Sequence, residues 1–183
     1  MFVAGHRGMA GSAIVRRLRQ EPCEVLIATR QELDLTRQEQ TEQWLAKHRP
    51  DAVIMAAGRV GGILANDTLP ANFLAENLGM ALNCINASFT VGVQKLVYLG
   101  STCVYPKFAT QPMSEDQLLT GELEPTNQWY AIAKIAGIKL CEAYRRQHDR
   151  DFVSVMPTNL YGPGDNYHPE HSHVVAALIR RFH

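Results

Sequence analysis

The 183-residue sequence predicts an α/β fold, a doubly wound parallel sheet with helices on both faces. Three observations predict it. Short apolar stretches alternate along the whole chain with segments whose apolar positions recur every three or four residues, the signatures of strand and helix. The short stretches lack a polar face, which is the pattern of strands buried on both sides. The chain also opens with an apolar run, a glycine-rich turn and a helical pattern in direct succession.

Met1–Ala4 is the first strand and runs straight into Gly5, Gly8 and Gly11, with a helical pattern over Ser12–Leu18. Glycines so placed let the backbone turn tightly, let N–H groups approach a pyrophosphate, and let the helix pack close on the strand with its positive end toward the anion. The spacing is G-x-x-G-x-x-G rather than G-x-G-x-x-G, so its strand-to-helix context carries the assignment. Glu24–Thr29 is the second strand. Its end is where such folds select between dinucleotides, and an acidic residue there would hold a ribose 2′-hydroxyl. This chain has Arg30 instead, with Arg7 in the glycine loop. Two guanidiniums suit a 2′-phosphate, so NADP is favoured; the alternative is two solvated surface arginines.

Thr36–Glu39 has the capping-box pattern and predicts a helix through about His48, ended by Pro50. Asp51–Ala57 predicts a buried strand closing in Gly58, and Gly61 with Gly62 a flexible loop. A long helix is expected over about 70–91, weakened in its interior by Gly79. Lys95–Gly100 is the next strand. A polar loop leads to a helix over about 127–148, Phe152–Pro157 is the last strand, and an apolar-periodic segment begins near Ser172.

Composition excludes several classes. Lys plus Arg and Asp plus Glu are 18 each, so no net field draws the chain to nucleic acid or to an anionic membrane, and local positive groups must meet any anionic ligand. No apolar run approaches the roughly 18 residues of a membrane span, and the N-terminus lacks the order of a signal peptide. A cytoplasmic protein is expected. Cys23, Cys84, Cys103 and Cys141 form no C-x-x-C pair, which argues against a zinc site and a disulfide framework. Cys84 and Cys141 fall within apolar helical patterns and are expected in the core. No metal site is expected.

The chemistry is expected where three loops converge beyond the strand ends: 101–106, the head of the 127–148 helix, and 157–162. Tyr130 and Lys134, four residues apart, share one helical face. An ammonium beside a phenol favours the phenolate, which predicts a tyrosine pKa lowered toward neutrality. Ser101, directly after a strand, can bond the substrate oxygen that Tyr130 protonates, while Lys134 holds a nicotinamide ribose. A turn serine and an amphipathic helix with an exposed lysine are the plain alternatives.

The strand–GHRGMAG–helix opening, LGSTCVYP, YAIAK and PTNLYGP together resemble the extended short-chain dehydrogenase/reductase family, with its Rossmann-type fold. Longer stretches, AAGRVGGI, GSTCVYPK, EPTNQWYAIAKIAGIKLCE and PTNLYGPGDNYHPEHSHV, are similar to a branch of it that handles nucleotide sugars, over nearly the whole chain. The resemblance implies a GDP-4-keto-6-deoxy-mannose substrate, epimerised at carbons 3 and 5 and then reduced at carbon 4 by NADPH. It implies Ser101, Tyr130 and Lys134 as the reductive triad and Cys103 and His173 as the carriers of the epimerisation protons. On the residues alone His168, His171, His173 and His183 are not told apart. It further implies an NADP(H) site on Gly5, His6, Arg7, Gly8, Met9, Ala10, Gly11, Arg30, Leu35, Ala57, Leu99, Lys134, Pro157, Asn159, Leu160 and His173, a substrate contact at Arg181, and a homodimer through the helices at about 70–91 and 127–148.

Members of the family continue into a C-terminal lobe that grips the nucleotide sugar. The expected organisation is therefore an NADP-binding domain over 1–171 and the start of a truncated substrate-binding region over 172–183, with some trimming at the N-terminus. Such a chain is expected to bind NADP(H) and to turn over poorly or not at all. Two alternatives stay open: another nucleotide-sugar epimerase or dehydratase of the same fold, and a non-catalytic NADP-binding module.

Overall fold

A computed structural model describes residues 1–168 and 172–183. Four strands, β1 (Phe2–Ala4), β2 (Ala52–Met55), β3 (Lys95–Leu99) and β4 (Asp151–Val155), form one parallel sheet in that order. Among the described residues six helices accompany them: α1 (Met9–Leu18), α2 (Gln38–His48), α3 (Ile63–Thr68), α4 (Pro70–Thr90), α5 (Gln128–His148) and α6 (Val174–Phe182).

The register places Phe2, Val53, Leu96 and Phe152 in one row across the sheet, all buried. Phe2 packs on Trp44 of α2 with ring centroids 4.4 Å apart, and Phe152 faces Tyr144 of α5. Between them lies α4, in contact with both α2 and α5. Val3 points to the opposite face from Phe2 and Ala4, is fully buried, and belongs to the strand on which α1 packs, so the sheet carries helices on both faces. The cover is uneven, because Ile54, Val97 and Val153 of the Val3 row are half-buried.

Cys84 and Cys141 lie in the core, where burial pushes both thiols up to about 12. The expected helix over 70–91 is α4, begun by Pro70, whose fixed φ and missing N–H suit a first helical turn. The helix expected over 127–148 is α5.

Three local expectations are corrected. Glu24–Thr29 is no full strand: it makes one bridge, Leu26 to Phe2, with the Leu26 N–H donating to the Met1 carbonyl and the Val3 N–H to the Leu26 carbonyl. On its other edge β1 pairs all three of its residues with β2, so the shortfall lies in the 24–29 segment, which stays beside β1 only around Leu26. The capping box at Thr36 does not form, because its hydroxyl donates instead to Asp34 Oδ1 at 2.7 Å, and α2 starts at Gln38 without a side-chain cap. The glycine pair before α3 is held in place: Asn66 Nδ2 donates to the Gly61 and Gly62 carbonyls, and a Cβ on Gly61 would lie 3.2 Å from the Phe73 ring.

Candidate active site

All four strands are parallel, so Gly5, Gly58, Ser101 and Pro157 lie at the same edge of the sheet. At Gly5 the chain turns with φ of 82°, in a region that favours glycine, and a Cβ there would lie 2.6 Å from the backbone of Ala57. A Cβ on Gly11 would lie 2.1 Å from the Gly5 carbonyl oxygen. These two glycines let the loop, the end of β2 and α1 close on one another. Gly8 does a different job: a Cβ on it would meet nothing nearer than the Gly5 carbonyl at 3.5 Å, so its backbone faces outward. Gly8 is also the N-cap of α1, which has no side-chain cap and no acidic residue in its first turn. The first-turn N–H groups of Met9, Ala10 and Gly11 therefore form a donor set with a positive end, the chemistry that a pyrophosphate needs.

In front of this loop lies a cleft of about 470 Å³, lined by Gly5, His6, Arg7 and Gly8, by Arg30 and Leu35, by Ala57, Gly58 and Arg59, and by Glu76 of α4. The Arg30 side chain is 72% exposed, with guanidinium contacts of 3.7 Å to Asp34 and 3.9 Å to Glu76. Exposed pairs that long hold a side chain weakly. Arg59 is held more firmly. Its Nη1 lies 2.5 Å from Glu76 Oε1, its N–H donates to Asn77 Oδ1, and its carbonyl accepts from Asn77 Nδ2. Sequence reasoning passed over both Arg59 and Glu76. The signals were present, since Arg59 follows an apolar, strand-like run as Arg30 does, and Glu76 is the one charged residue in the 21 residues of α4.

A Cβ on Gly58 would lie 3.6 Å from Lys134 Nζ, so the cleft meets the second group of residues there. Ser101 follows β3 and heads a short 3-10 turn over Thr102–Val104, its Oγ accepting the Cys103 N–H at 3.3 Å. Cys103 is half-buried, and Asn127, just before α5, donates from Nδ2 to its Sγ at 3.5 Å. Tyr130 sits in the first turn of α5 and Lys134 one turn later. Lys134 is buried, 5% exposed, with Nζ 5.7 Å from the Tyr130 ring centroid and 4.9 Å from that of Tyr98. Gly137 makes room for the Tyr98 ring, which a Cβ would approach to 2.5 Å.

The expectation of an acidified tyrosine is overturned. Burial pushes the Tyr130 phenol up to about 12, the neighbouring Cys103 adds to the rise, and the Ser101 hydroxyl bond offsets part of it. Lys134 is brought down to about 8 by burial, and its Nζ donates to the Leu99 carbonyl at 2.7 Å. The i, i+4 spacing did bring the two side chains together, but Lys134 is buried and Tyr130 half-buried, and loss of hydration disfavours a phenolate and an ammonium alike. Tyr130 is thus held as the neutral phenol.

Pro157 is half-buried after β4, while Asn159 and Leu160 are exposed. His173 is the exposed N-cap of α6, and Arg181 is exposed in its last turn with the guanidinium 5.8 Å from the Phe182 ring. Among the described residues no hydrogen bond joins either to Ser101, Cys103 or Tyr130. His171 lies outside the described residues. Among those described, no group of three or more His, Cys, Asp or Glu comes together as a metal site.

The model of the NAD dependent epimerase/dehydratase family matches residues 1–183. The chain is 63% identical to a GDP-L-fucose synthase of Sinorhizobium fredii, over 100% of this chain and 58% of that protein. It is 56% identical to the GDP-L-fucose synthase of Escherichia coli, over 100% of this chain and 57% of that one. It superposes on the crystal structure of a GDP-L-fucose synthetase from Naegleria fowleri bound to NADP with a TM-score of 0.86 and 30% identity, covering 98% of this chain and 60% of that one. The chain thus spans little more than half the length of the curated relatives it matches. With a strand–glycine loop–helix cleft joined at Gly58 to the Ser101, Tyr130 and Lys134 group, and a family model that matches from end to end, the chain belongs to the NAD dependent epimerase/dehydratase family.

Proposed function

We propose that this chain is the NADP-binding part of a GDP-L-fucose synthase, which epimerises GDP-4-keto-6-deoxy-mannose at carbons 3 and 5 and reduces the 4-keto group. The observation that carries the proposal is the position of Cys103. A thiol stands two residues beyond Ser101 in the same strand-end turn, near Tyr130, where it can serve as the acid/base that epimerisation needs and hydride transfer does not. The named relatives from Sinorhizobium fredii and Escherichia coli support it.

Protons beside a ketone are acidic because the enolate charge moves to the carbonyl oxygen, and the Ser101 and Tyr130 hydroxyls are the groups to stabilise that charge. Cys103 Sγ takes or gives the proton on one ring face and His173 on the other. NADPH, when bound, supplies the hydride for carbon 4. Tyr130 then gives its phenolic proton to the forming alkoxide, and Lys134 holds the ribose. The glycine loop from Gly5 to Gly11, with Leu35, Ala57, Leu99, Pro157, Asn159, Leu160 and His173, holds the rest of the dinucleotide, and Arg181 contacts the sugar nucleotide. The domain division at residues 171 and 172 and a cytoplasmic location belong to the same proposal. Among the described residues no helix is long and apolar enough to cross a membrane. Deuterium incorporation at carbons 3 and 5 of the keto-sugar in heavy water, with loss of NADPH absorbance, tests the proposal in the full protein; neither signal appearing would refute it.

Arg7 and Arg30 should make NADPH bind more tightly than NADH. A charge-assisted bond to phosphate contributes roughly 1.5 kcal/mol or more, about tenfold in affinity. Titrating both cofactors into native and Arg30→Ala protein should show the preference shrink by about that factor. Equal affinities in the native protein would count against the assignment.

The homodimer is proposed through α4 and α5. Leu78 and Leu82 of α4 and Trp129 and Ile132 of α5 are exposed apolar residues, and a Cβ on Gly79 would meet nothing within 4 Å, so a second copy could approach closely there. Light scattering at micromolar concentration should give the dimer mass for the native protein and the monomer mass for Leu82→Glu. A monomeric native protein would remove this part of the proposal.

A further inference from the structure

Asn127 stands at the N-cap position of α5, where an asparagine side chain ordinarily accepts a hydrogen bond from the helix's first-turn N–H groups. It makes no such bond. Its backbone still serves the helix, the carbonyl accepting the Ala131 N–H at 3.0 Å. The amide is spent elsewhere: Nδ2 donates to Cys103 Sγ at 3.5 Å, and Oδ1, the atom that would have capped the helix, is buried with no partner among the described residues. A helix end thus forgoes a favoured cap, and a buried acceptor goes unmatched, while one N–H points at one sulfur. Unmatched buried acceptors are uncommon enough to need a reason.

The surroundings of the sulfur supply that reason. From its own turn, Ser101 offers Oγ to the Cys103 backbone N–H and brings no charge. From α5, Tyr130 is the titratable neighbour, and it brings no positive charge. Lys134, the nearby cation of that helix, is turned to the Leu99 carbonyl. A thiolate at Cys103 therefore depends on Asn127 for its side-chain donor among the described residues.

We infer that Asn127 is the positioning residue of the epimerisation acid/base, its Nδ2–H steadying Cys103 as the thiolate and its Oδ1, after the amide turns over, receiving the S–H of the thiol. The inference rests on the role proposed above for Cys103. When Sγ takes a proton from the sugar carbon, the electron pair stays on the sugar as the enolate and the sulfur changes from acceptor to donor. A carboxamide with one donor end and one acceptor end matches the sulfur before and after, which no hydrocarbon or carboxylate side chain can do.

The test is alkylation of Cys103 by iodoacetamide as a function of pH, followed peptide by peptide by mass spectrometry in the full protein. Asn127→Ala should slow alkylation near neutral pH by about fivefold, the worth of one hydrogen bond. Asn127→Asp, nearly the same shape, should move the midpoint of the profile upward further, because a carboxylate would face the thiolate. Buried Cys84 and Cys141 report on folding. If they become reactive in the alanine variant, the aspartate variant decides. An aspartate profile that superposes on the native one overturns the inference. The readout is separate from turnover: a shifted profile in a protein that exchanges no deuterium into the keto-sugar would reject the epimerase role of Cys103 and leave the Asn127 contact standing.

Discussion

Replacing Tyr130 by Phe should cut reduction of the keto-sugar by two to four orders of magnitude, the usual worth of a positioned general acid, while leaving exchange of the protons beside the ketone measurable. The loss is large because the hydroxyl is the proton donor beside the reacting carbonyl, and burial keeps it protonated until the alkoxide forms. A donor held neutral gives its proton when the alkoxide forms, and phenylalanine has none to give. Cys103→Ser should do the converse. A hydroxyl is far less acidic than a thiol, which is itself the base only as thiolate, so solvent deuterium should no longer enter at carbons 3 and 5. Hydride transfer to a ketone already epimerised should largely survive. The measurement is deuterium incorporation by NMR beside NADPH consumption, on the same samples in the full protein. Exchange left intact by Cys103→Ser, or reduction unimpaired by Tyr130→Phe, would show the roles to be assigned wrongly.

The parts of this site that could be read from the sequence are those whose physics is local. Gly5, Gly8 and Gly11 between an apolar run and a helical pattern encode a strand, a turn and a helix start, and the structure has all three. The ends of α4 and α5 were legible because 21-residue amphipathic helices leave a long periodic record. Glu24–Thr29 misled because an apolar run does not reveal how much of it a neighbouring strand will pair. Thr36 misled because Asp34, two residues away, competes for the hydroxyl that a capping box requires. The Tyr130 pKa was wrong in sign, since i, i+4 spacing reports proximity and says nothing of hydration. Arg59, Glu76 and Asn127 owe their places to contacts across 17 to 24 residues of sequence, which no local pattern records. The roles of His173 and Arg181 came with the family resemblance and remain proposals.

Lys134→Met should make the protein more stable at neutral pH while abolishing reduction. The ammonium is buried with one hydrogen bond, and burial lowers its pKa from 10.5 to about 8. At pH 7 it is still protonated, so the fold carries the cost of a buried charge, which for that shift is roughly 3 kcal/mol. Methionine fills the same stem volume without charge. It gives up the bond to the Leu99 carbonyl, worth about 2 kcal/mol for a charged donor. The net gain is about 1 kcal/mol, or roughly 2–4 °C in Tm. The sign follows from linkage. The folded pKa lies below the unfolded one, so between pH 8 and 10.5 the unfolded chain binds more protons, and this group's contribution to stability rises with pH. The advantage of the methionine variant should therefore be full below pH 8 and shrink above it. Cys84 and Cys141, raised from 9.0 to about 12, will lower the stability of both proteins above pH 9, so the difference between the two proteins isolates Lys134. Urea denaturation of both at pH 7 and pH 9 measures that difference. A variant less stable than the native protein at pH 7, or a gap unchanged at pH 9, would mean that Lys134 is not held as a buried charge, and that its ammonium is solvated well enough to keep its ordinary pKa.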